Sequence, residues 1–363
     1  MKMKLFAAAV AALAAGGAYA QSSVTLYGVV DAGIEYTNKN ATTTGNHNLF
    51  ALQSGNQSGS RWGLRGVEDL GGGLKGIFVL ESGFNVDNGT SGQGNRLFGR
   101  NAYVGLQNQY GTVTLGRQQT TFYDFGLLYD PMAISTRYSI TATAPEYAFR
   151  ADNAIKYTGT FGGLTTSAFY SFNNNNQEVA GNFTNGREYG FLASYAAGPF
   201  SVGAAYDQSN KSAAGVITDN QLIRRATIAG TYAFGPAKLY AGYRYAKAYN
   251  NASLPGAAGT QNTASNLGWV GLGYQLTPAL SLSGSAYYQN MRNAKANPWQ
   301  FVTTADYALS KRTDLYASAT YILNKGANSA LSVNGFNDQI TSGPTVQTGG
   351  NQFGGIVGVR HKF

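Results

Sequence analysis

Sixteen segments of this chain alternate apolar and polar residues with a period of two, and after residue 20 no apolar run reaches the ~18 residues of a membrane-crossing helix. In the segment Val24 to Tyr36, one face is Val24, Leu26, Gly28, Val30, Ala32, Ile34 and Tyr36, while the other holds Thr25, Asp31 and Glu35. A strand with one face free of charge suits a boundary between lipid and water. The pattern recurs where Trp62 and Leu64 oppose Arg61 and Arg65, and where Leu239, Ala241, Tyr243 and Tyr245 oppose Lys238, Tyr240 and Arg244. The expected strands are 23–37, 59–70, 74–85, 98–108, 111–119, 150–160, 163–173, 187–197, 199–209, 222–234, 237–249, 264–276, 279–291, 299–309, 312–324 and 351–363.

The connections sharpen this reading. Short ones, such as Gly71-Gly72-Gly73, Phe161-Gly162-Gly163, Ala197-Gly198-Pro199, Gly235-Pro236 and Ser310-Lys311-Arg312, alternate with long polar ones at 38–58, 86–97, 174–186, 250–263 and 325–350. Short turns on one side and long loops on the other mark an antiparallel transmembrane barrel, and an even strand count returns both termini to the periplasm. Closure is required because only a closed sheet satisfies every edge hydrogen bond in hydrocarbon. The expected fold is all-β, a 16-stranded antiparallel transmembrane barrel, too wide at that strand number for side chains to fill.

The N-terminus sets the compartment. Lys2 and Lys4 precede a small-residue apolar run from Leu5 to Gly17, and Ala18-Tyr19-Ala20 fits the small-residue rule for signal peptidase, with cleavage expected between Ala20 and Gln21. Residues 1–20 are thus expected to be a signal peptide and 21–363 the barrel. The chain has 48 Gly, 25 Tyr, 19 Phe, no Cys and 12% charged residues, which suits tight turns and aromatic belts and excludes disulfides, thiolate metal sites and a cysteine nucleophile.

Enzyme signatures are weak. Gly71-Gly72-Gly73-Leu74-Lys75-Gly76 satisfies the spacing of a dinucleotide loop, but a period-two strand follows it where that loop needs a helix. The two histidines, His47 and His361, are far apart in sequence, and Glu68-Asp69 as strand neighbours point to opposite faces. No catalytic residue, cofactor or metal is expected. The net charge of +9 is spread without Lys or Arg runs, and a secreted chain does not meet nucleic acid.

The connection from Thr120 to Phe149 is the longest, and it is aromatic and acidic: Phe122, Tyr123, Asp124, Phe125, Tyr129, Asp130, Tyr138, Glu146, Tyr147 and Phe149. A loop of that length is functional or disordered, and aromatic content argues for order. It is expected to fold into the lumen with Asp124, Asp130 and Glu146 facing a basic wall. Strand parity puts Arg61 and Arg65 on the inward face, and Arg150, Asp152 and Lys156 on the face opposite Ile155 and Tyr157. Such charges belong in the lumen, since one on the lipid face at the midplane costs about 2–4 kcal/mol. Arg117 has the parity of Val113 and Leu115, which suits a strand end or a subunit interface.

Several blocks together resemble trimeric general porins of β-proteobacteria, the Neisseria, Burkholderia and Comamonas type. They are the start Gln21-Ser22-Ser23-Val24-Thr25-Leu26-Tyr27-Gly28, the block Ser60-Arg61-Trp62-Gly63-Leu64-Arg65-Gly66-Val67-Glu68-Asp69-Leu70, Gly99-Arg100-Asn101-Ala102-Tyr103-Val104-Gly105-Leu106, Leu115-Gly116-Arg117, Tyr307-Ala308-Leu309-Ser310-Lys311-Arg312-Thr313, and the end Gly358-Val359-Arg360-His361-Lys362-Phe363. The resemblance implies a homotrimer in the Gram-negative outer membrane, among lipid and lipopolysaccharide, passing small hydrophilic solutes and ions by passive diffusion. It also implies an arginine cluster at the constriction, a weak preference for anions, and a terminal Phe363 read by the barrel-assembly machinery. Arg61 and Arg150 match that cluster. Its third position falls at Gly99, so either a bulge turns Arg100 inward or the cluster is smaller. Two other functions fit the same pattern: a porin specific for phosphate, organic acids or sugars, and an adhesin or receptor acting through its long loops.

Overall fold

The computed structural model describes residues 23–211, 221–256, 262–335 and 346–363. The expected cleavage site at Ala20 and Gln21 lies outside them. Among the described residues seventeen strands form one antiparallel sheet: β1 Ser23–Thr42, β2 Gly45–Ser54, β3 Arg61–Gly71, β4 Leu74–Gly83, β5 Asn101–Asn108, β6 Gly111–Gln119, β7 Arg150–Phe161, β8 Leu164–Ser171, β9 Glu188–Ala197, β10 Phe200–Asn210, β11 Leu222–Phe234, β12 Ala237–Tyr249, β13 Ala264–Gln275, β14 Leu280–Met291, β15 Trp299–Ala308, β16 Thr313–Leu323 and β17 Gln352–Lys362. From β3 onward each strand pairs with its sequence neighbour, and β17 pairs with β1 from Val29↔Lys362 to Thr37↔Gly354, which closes the barrel.

The count of seventeen hides sixteen positions. One edge of β1 is shared, its first part pairing with β3 (Ser23↔Val67 to Val29↔Arg61) and its later part with β2 (Ala32↔Ser54 to Thr42↔Gly45). Between β2 and β3 the backbone leaves the ladder at 55–60, where the Asp31 carboxylate accepts from Gln57 N and Ser58 N at 2.8 Å each. One long strand is thus broken by an inward turn held by a buried acid. This corrects the expectation of a long loop at 38–58. A two-residue turn joins β1 to β2, and the ladder continues through polar residues to Thr42↔Gly45. A hairpin that projects beyond the bilayer needs no apolar face, so polarity alone did not mark it as loop.

Burial alternates as the sequence pattern requires: along β11, Arg225, Thr227, Ala229 and Thr231 are buried, while Arg224, Ala226, Ile228 and Tyr232 are exposed. The outward face differs around the circumference. From β8 to β16 it carries Tyr170, Phe191, Tyr195, Phe200, Tyr232, Phe234, Tyr243, Tyr274, Trp299, Phe301, Tyr307 and Tyr321. From β17 through β1 to β6 it is mainly aliphatic, with Val357, Val359, Val24, Leu26, Ile34, Leu52, Val104, Leu106, Val113 and Leu115. The chain's last residue completes the ladder: Phe363 exchanges backbone hydrogen bonds with Gly28 at 3.0 and 3.1 Å, and its ring lies where a side chain at Gly28 would stand.

Candidate functional site: the third connection and its walls

Between β6 and β7 the chain runs as a helix, Thr121–Tyr129, then a tip near Arg137, a short helix Ile140–Thr143, and a 3₁₀ turn Pro145–Ala148. Thr120 caps the first helix, its hydroxyl accepting from Tyr123 N, and Pro131 directly follows Asp130, the residue that caps the helix's C-terminal end. Phe122, Phe125 and Tyr129 lie on one helix stripe and are at most 1% exposed. With Tyr138, Ile140 and Tyr147 they form the largest apolar cluster, together with Leu192, Leu267, Trp269 and Tyr287 from the strands.

Polar contacts fix this segment to the inward side chains of β9 to β14. The Tyr129 hydroxyl contacts Ser194 Oγ at 2.6 Å and Ser201 Oγ at 2.9 Å, and Trp269 Nε1 donates to Tyr129 O at 3.0 Å. A Cβ at Gly203 would meet the Tyr129 ring at 2.5 Å, so glycine is needed there for the ring to seat. Tyr147 OH meets Thr227 Oγ1 at 2.9 Å, and Arg244 pairs with Glu146 at 2.8 Å. Asp130, 2% exposed, accepts from Tyr287 OH at 2.5 Å and from Ile134 N at 2.7 Å. Burial pushes the Asp130 carboxyl up to about 6, the hydrogen bonds only partly opposing it. At the tip, Arg137 pairs with Glu35 at 3.3 Å and Tyr138 OH donates to Glu35 Oε1 at 2.6 Å. Burial, and then the Glu35 carboxylate, hold the Tyr138 hydroxyl far above its ordinary range, so it remains a donor.

The expected basic residues assemble on the other side, around an acid that the sequence reading missed. Glu81 of β4 accepts from Arg100 Nε at 2.7 Å and from Tyr27 OH at 3.0 Å, with Arg61 Nε at 3.6 Å. Arg100 therefore turns inward, its guanidinium lying against Gly59. Arg150 stacks over the Tyr123 ring at 5.2 Å and donates to Ala148 O at 3.3 Å, while its Nε finds no acceptor among the described residues. Lys156 pairs with Asp124 at 2.5 Å and donates to Gln119 O at 3.0 Å. Arg65 is exposed and lies over the Tyr27 ring at 5.5 Å.

Two parts of the sequence expectation are corrected. Of the three loop acids only Asp124 meets one of the expected basic residues; Asp130 and Glu146 are spent on Tyr287 and Arg244, because loop closure carries them to the opposite wall. The parity count joining Arg150, Asp152 and Lys156 also fails, since the β6–β7 register shifts between Gly116 and Gln118 and Asn153 takes a left-handed φ of 50°. Lys156 pairs across from Thr114, whereas Asp152 joins Arg117, which keeps the outward parity of Val113 and Leu115. Arg117 Nη1 and Arg96 Nη1 both lie 2.7 Å from Asp152 Oδ1. Also unforeseen were Asp207, paired with Arg225 at 2.9 Å, and the neighbouring Glu188, inward acids on regular strands whose parity would have found them as it put Glu35 on the polar face of β1.

Residues 7–327 match the family model of Gram-negative porins. This chain belongs to that family. The porin is 35% identical to an outer membrane porin protein of Bordetella pertussis, over 89% of this chain and 95% of that one. It is 33% identical to outer membrane porin protein 32 of Delftia acidovorans over the whole of both chains. Its fold is similar to that of an anion-selective porin from Comamonas acidovorans, with a TM-score of 0.80, 28% identity, and coverage of 94% of this chain and 100% of that one. OmpT of Vibrio cholerae, 15% identical with a TM-score of 0.65, shares the fold alone. The porin is an outer-membrane protein, and its family is one of channels rather than enzymes.

Proposed function

We propose that the porin is a general diffusion channel with a weak preference for anions, narrowed where the third connection lies inside the barrel opposite β3 to β7. The charge imbalance carries this reading: Arg61, Arg100, Arg150 and Lys156 outnumber Glu81 and Asp124 two to one. Among the described residues the Arg150 Nε–H also finds no acceptor. A positive surplus at a narrow, low-dielectric point concentrates anions and slows cations. The anion selectivity stated for the Comamonas relative accords with this.

The assembly is a homotrimer of chains cleaved between Ala20 and Gln21. Support comes from the outward face, where aromatic residues suited to membrane interfaces are dense from β8 to β16 and sparse on the aliphatic arc, which keeps Phe50 and Phe353. On that arc, near its outer end, sits the Arg96–Asp152–Arg117 ion cluster, which is costly against lipid and suited to contact with another subunit. Phe363, seated on Gly28 with its ring partly exposed, remains available as the assembly signal while closing the sheet. The aromatic arc meets outer-membrane lipid and lipopolysaccharide. Planar-bilayer recordings of the purified protein test the channel: stepwise ohmic conductance is expected, and its absence would remove the function.

A further inference from the structure

The connection from β16 to β17 is long enough to be a free external loop, yet its inner part is built like a core. Ser329, Leu331 and Val333 are at most 1% exposed, and both apolar side chains belong to the same cluster as Tyr138 and Ile140 of the third connection. Gly335 lies directly over the short helix of that connection, its Cβ direction meeting Ala142 O at 3.4 Å and Ala142 Cα at 3.6 Å.

Two buried amides hold this inner part in shape. Asn324 donates to Leu331 O at 2.9 Å and Gly350 O at 2.7 Å, and its Oδ1 accepts from Leu331 N at 3.0 Å and Ser329 Oγ at 2.7 Å. Gln352 accepts from Val333 N at 2.9 Å and donates to Asn38 O and Asn40 Oδ1, both at 3.0 Å. Every hydrogen-bonding site of the Asn324 side chain is thereby used. Gln352 also ties the loop to the β1–β2 hairpin. A solvated spacer needs neither buried aliphatic residues nor saturated amides. Residues 137–142 are therefore gripped from two directions, by Glu35 of β1 through Arg137 and Tyr138, and by the β16–β17 connection from the far side.

We propose that Asn324 and Gln352 are positioning residues for permeation: they fold the inner part of the β16–β17 connection into a strap that holds the third connection in place and so sets the width and steadiness of the pore. This rests on the reading that the third connection is the constriction. None of the residues involved in the strap is charged, so it governs geometry and not ion preference.

The test uses the full-length porin in planar bilayers, comparing wild type with Asn324→Ala, Gln352→Ala and Leu331→Asn, and with Leu331→Ile as the conservative control. The first three are expected to give open channels with altered unitary conductance and raised current noise at an unchanged reversal potential, and Leu331→Ile to behave as wild type. A second readout uses the absence of native cysteine. In an Ala142→Cys background, where the site is 6% exposed, a thiol reagent should react slowly, and Leu331→Asn should speed it on the order of tenfold by favouring local opening. Unchanged labelling together with unchanged conductance and noise would overturn the strap. Faster labelling with unchanged conductance and noise would overturn the constriction reading, and with it the proposed role. If Leu331→Asn does not assemble, Gln352→Ala replaces it in both readouts.

Discussion

The two walls flanking the third connection use different chemistry. On β9 to β14 the contacts are hydroxyls, an indole N–H and closed ion pairs, and the two arginines Arg225 and Arg244 stand among three carboxylates, Asp207, Glu188 and Glu146. On β3 to β7, Arg61, Arg100, Arg150 and Lys156 exceed Glu81 and Asp124. The first wall leaves no positive surplus and buries its rings, which suits holding. The second keeps charge that its own side chains do not neutralise, which suits meeting solutes. Holding and selecting are thus separable, and substitutions on one wall should leave the other's property alone.

The largest expected effect is on the holding wall. Trp269, 3% exposed and edge-on to Tyr147 at 6.2 Å, fills the space under the third connection and bonds Tyr129 O. Trp269→Ala should cost about 3–5 kcal/mol of stability, read as a lower unfolding temperature in detergent, with noisier currents at unchanged ion preference.

Next is a pH effect at Asp130. Because its folded pKa of about 6 lies above the ordinary 3.8, the folded state binds the proton more tightly. The stability contributed by Asp130 is therefore greatest below pH ~4, falls as pH rises toward ~6, and levels off above it, a change of about 3 kcal/mol. Asp130→Asn should flatten that dependence in pH-scanned thermal unfolding, and an unaltered slope would assign it to another group.

Sequence legibility divides along the same line. All sixteen barrel positions were readable, because each must present a charge-free face to lipid whatever its neighbours do. β3 is regular from Arg61 to Asp69, so the alternation that sets Arg61 and Arg65 on one face runs through it. Asp152 escapes that rule, because a register shift interrupts β7 between it and Lys156. The destinations of Asp130 and Glu146 were hidden for another reason: Tyr287 and Arg244 lie 157 and 98 residues away in sequence, and no local periodicity encodes which wall a folded loop will touch. The extended β1–β2 hairpin was missed because it stands where the lipid constraint ends.

On the selecting wall the effects are smaller in energy and larger in consequence. Arg61→Glu and Arg150→Glu each change the local charge by two and should shift the permeability ratio toward cations several-fold, on the order of 1 kcal/mol, with thermal stability far less affected than in Trp269→Ala. Unchanged selectivity in both would reduce the arginines to braces for the loop. Similar in energy, but without effect on selectivity, is Tyr129→Phe, which removes the hydroxyl from Ser194 and Ser201 and should cost about 1 kcal/mol in unfolding measurements.

The central claim is that the unneutralised arginines make this a channel preferring anions. The reversal potential of the wild-type porin in a planar bilayer under a potassium chloride gradient tests it most directly. A potential of the sign set by chloride passing faster than potassium is predicted, and zero or the opposite sign would contradict it.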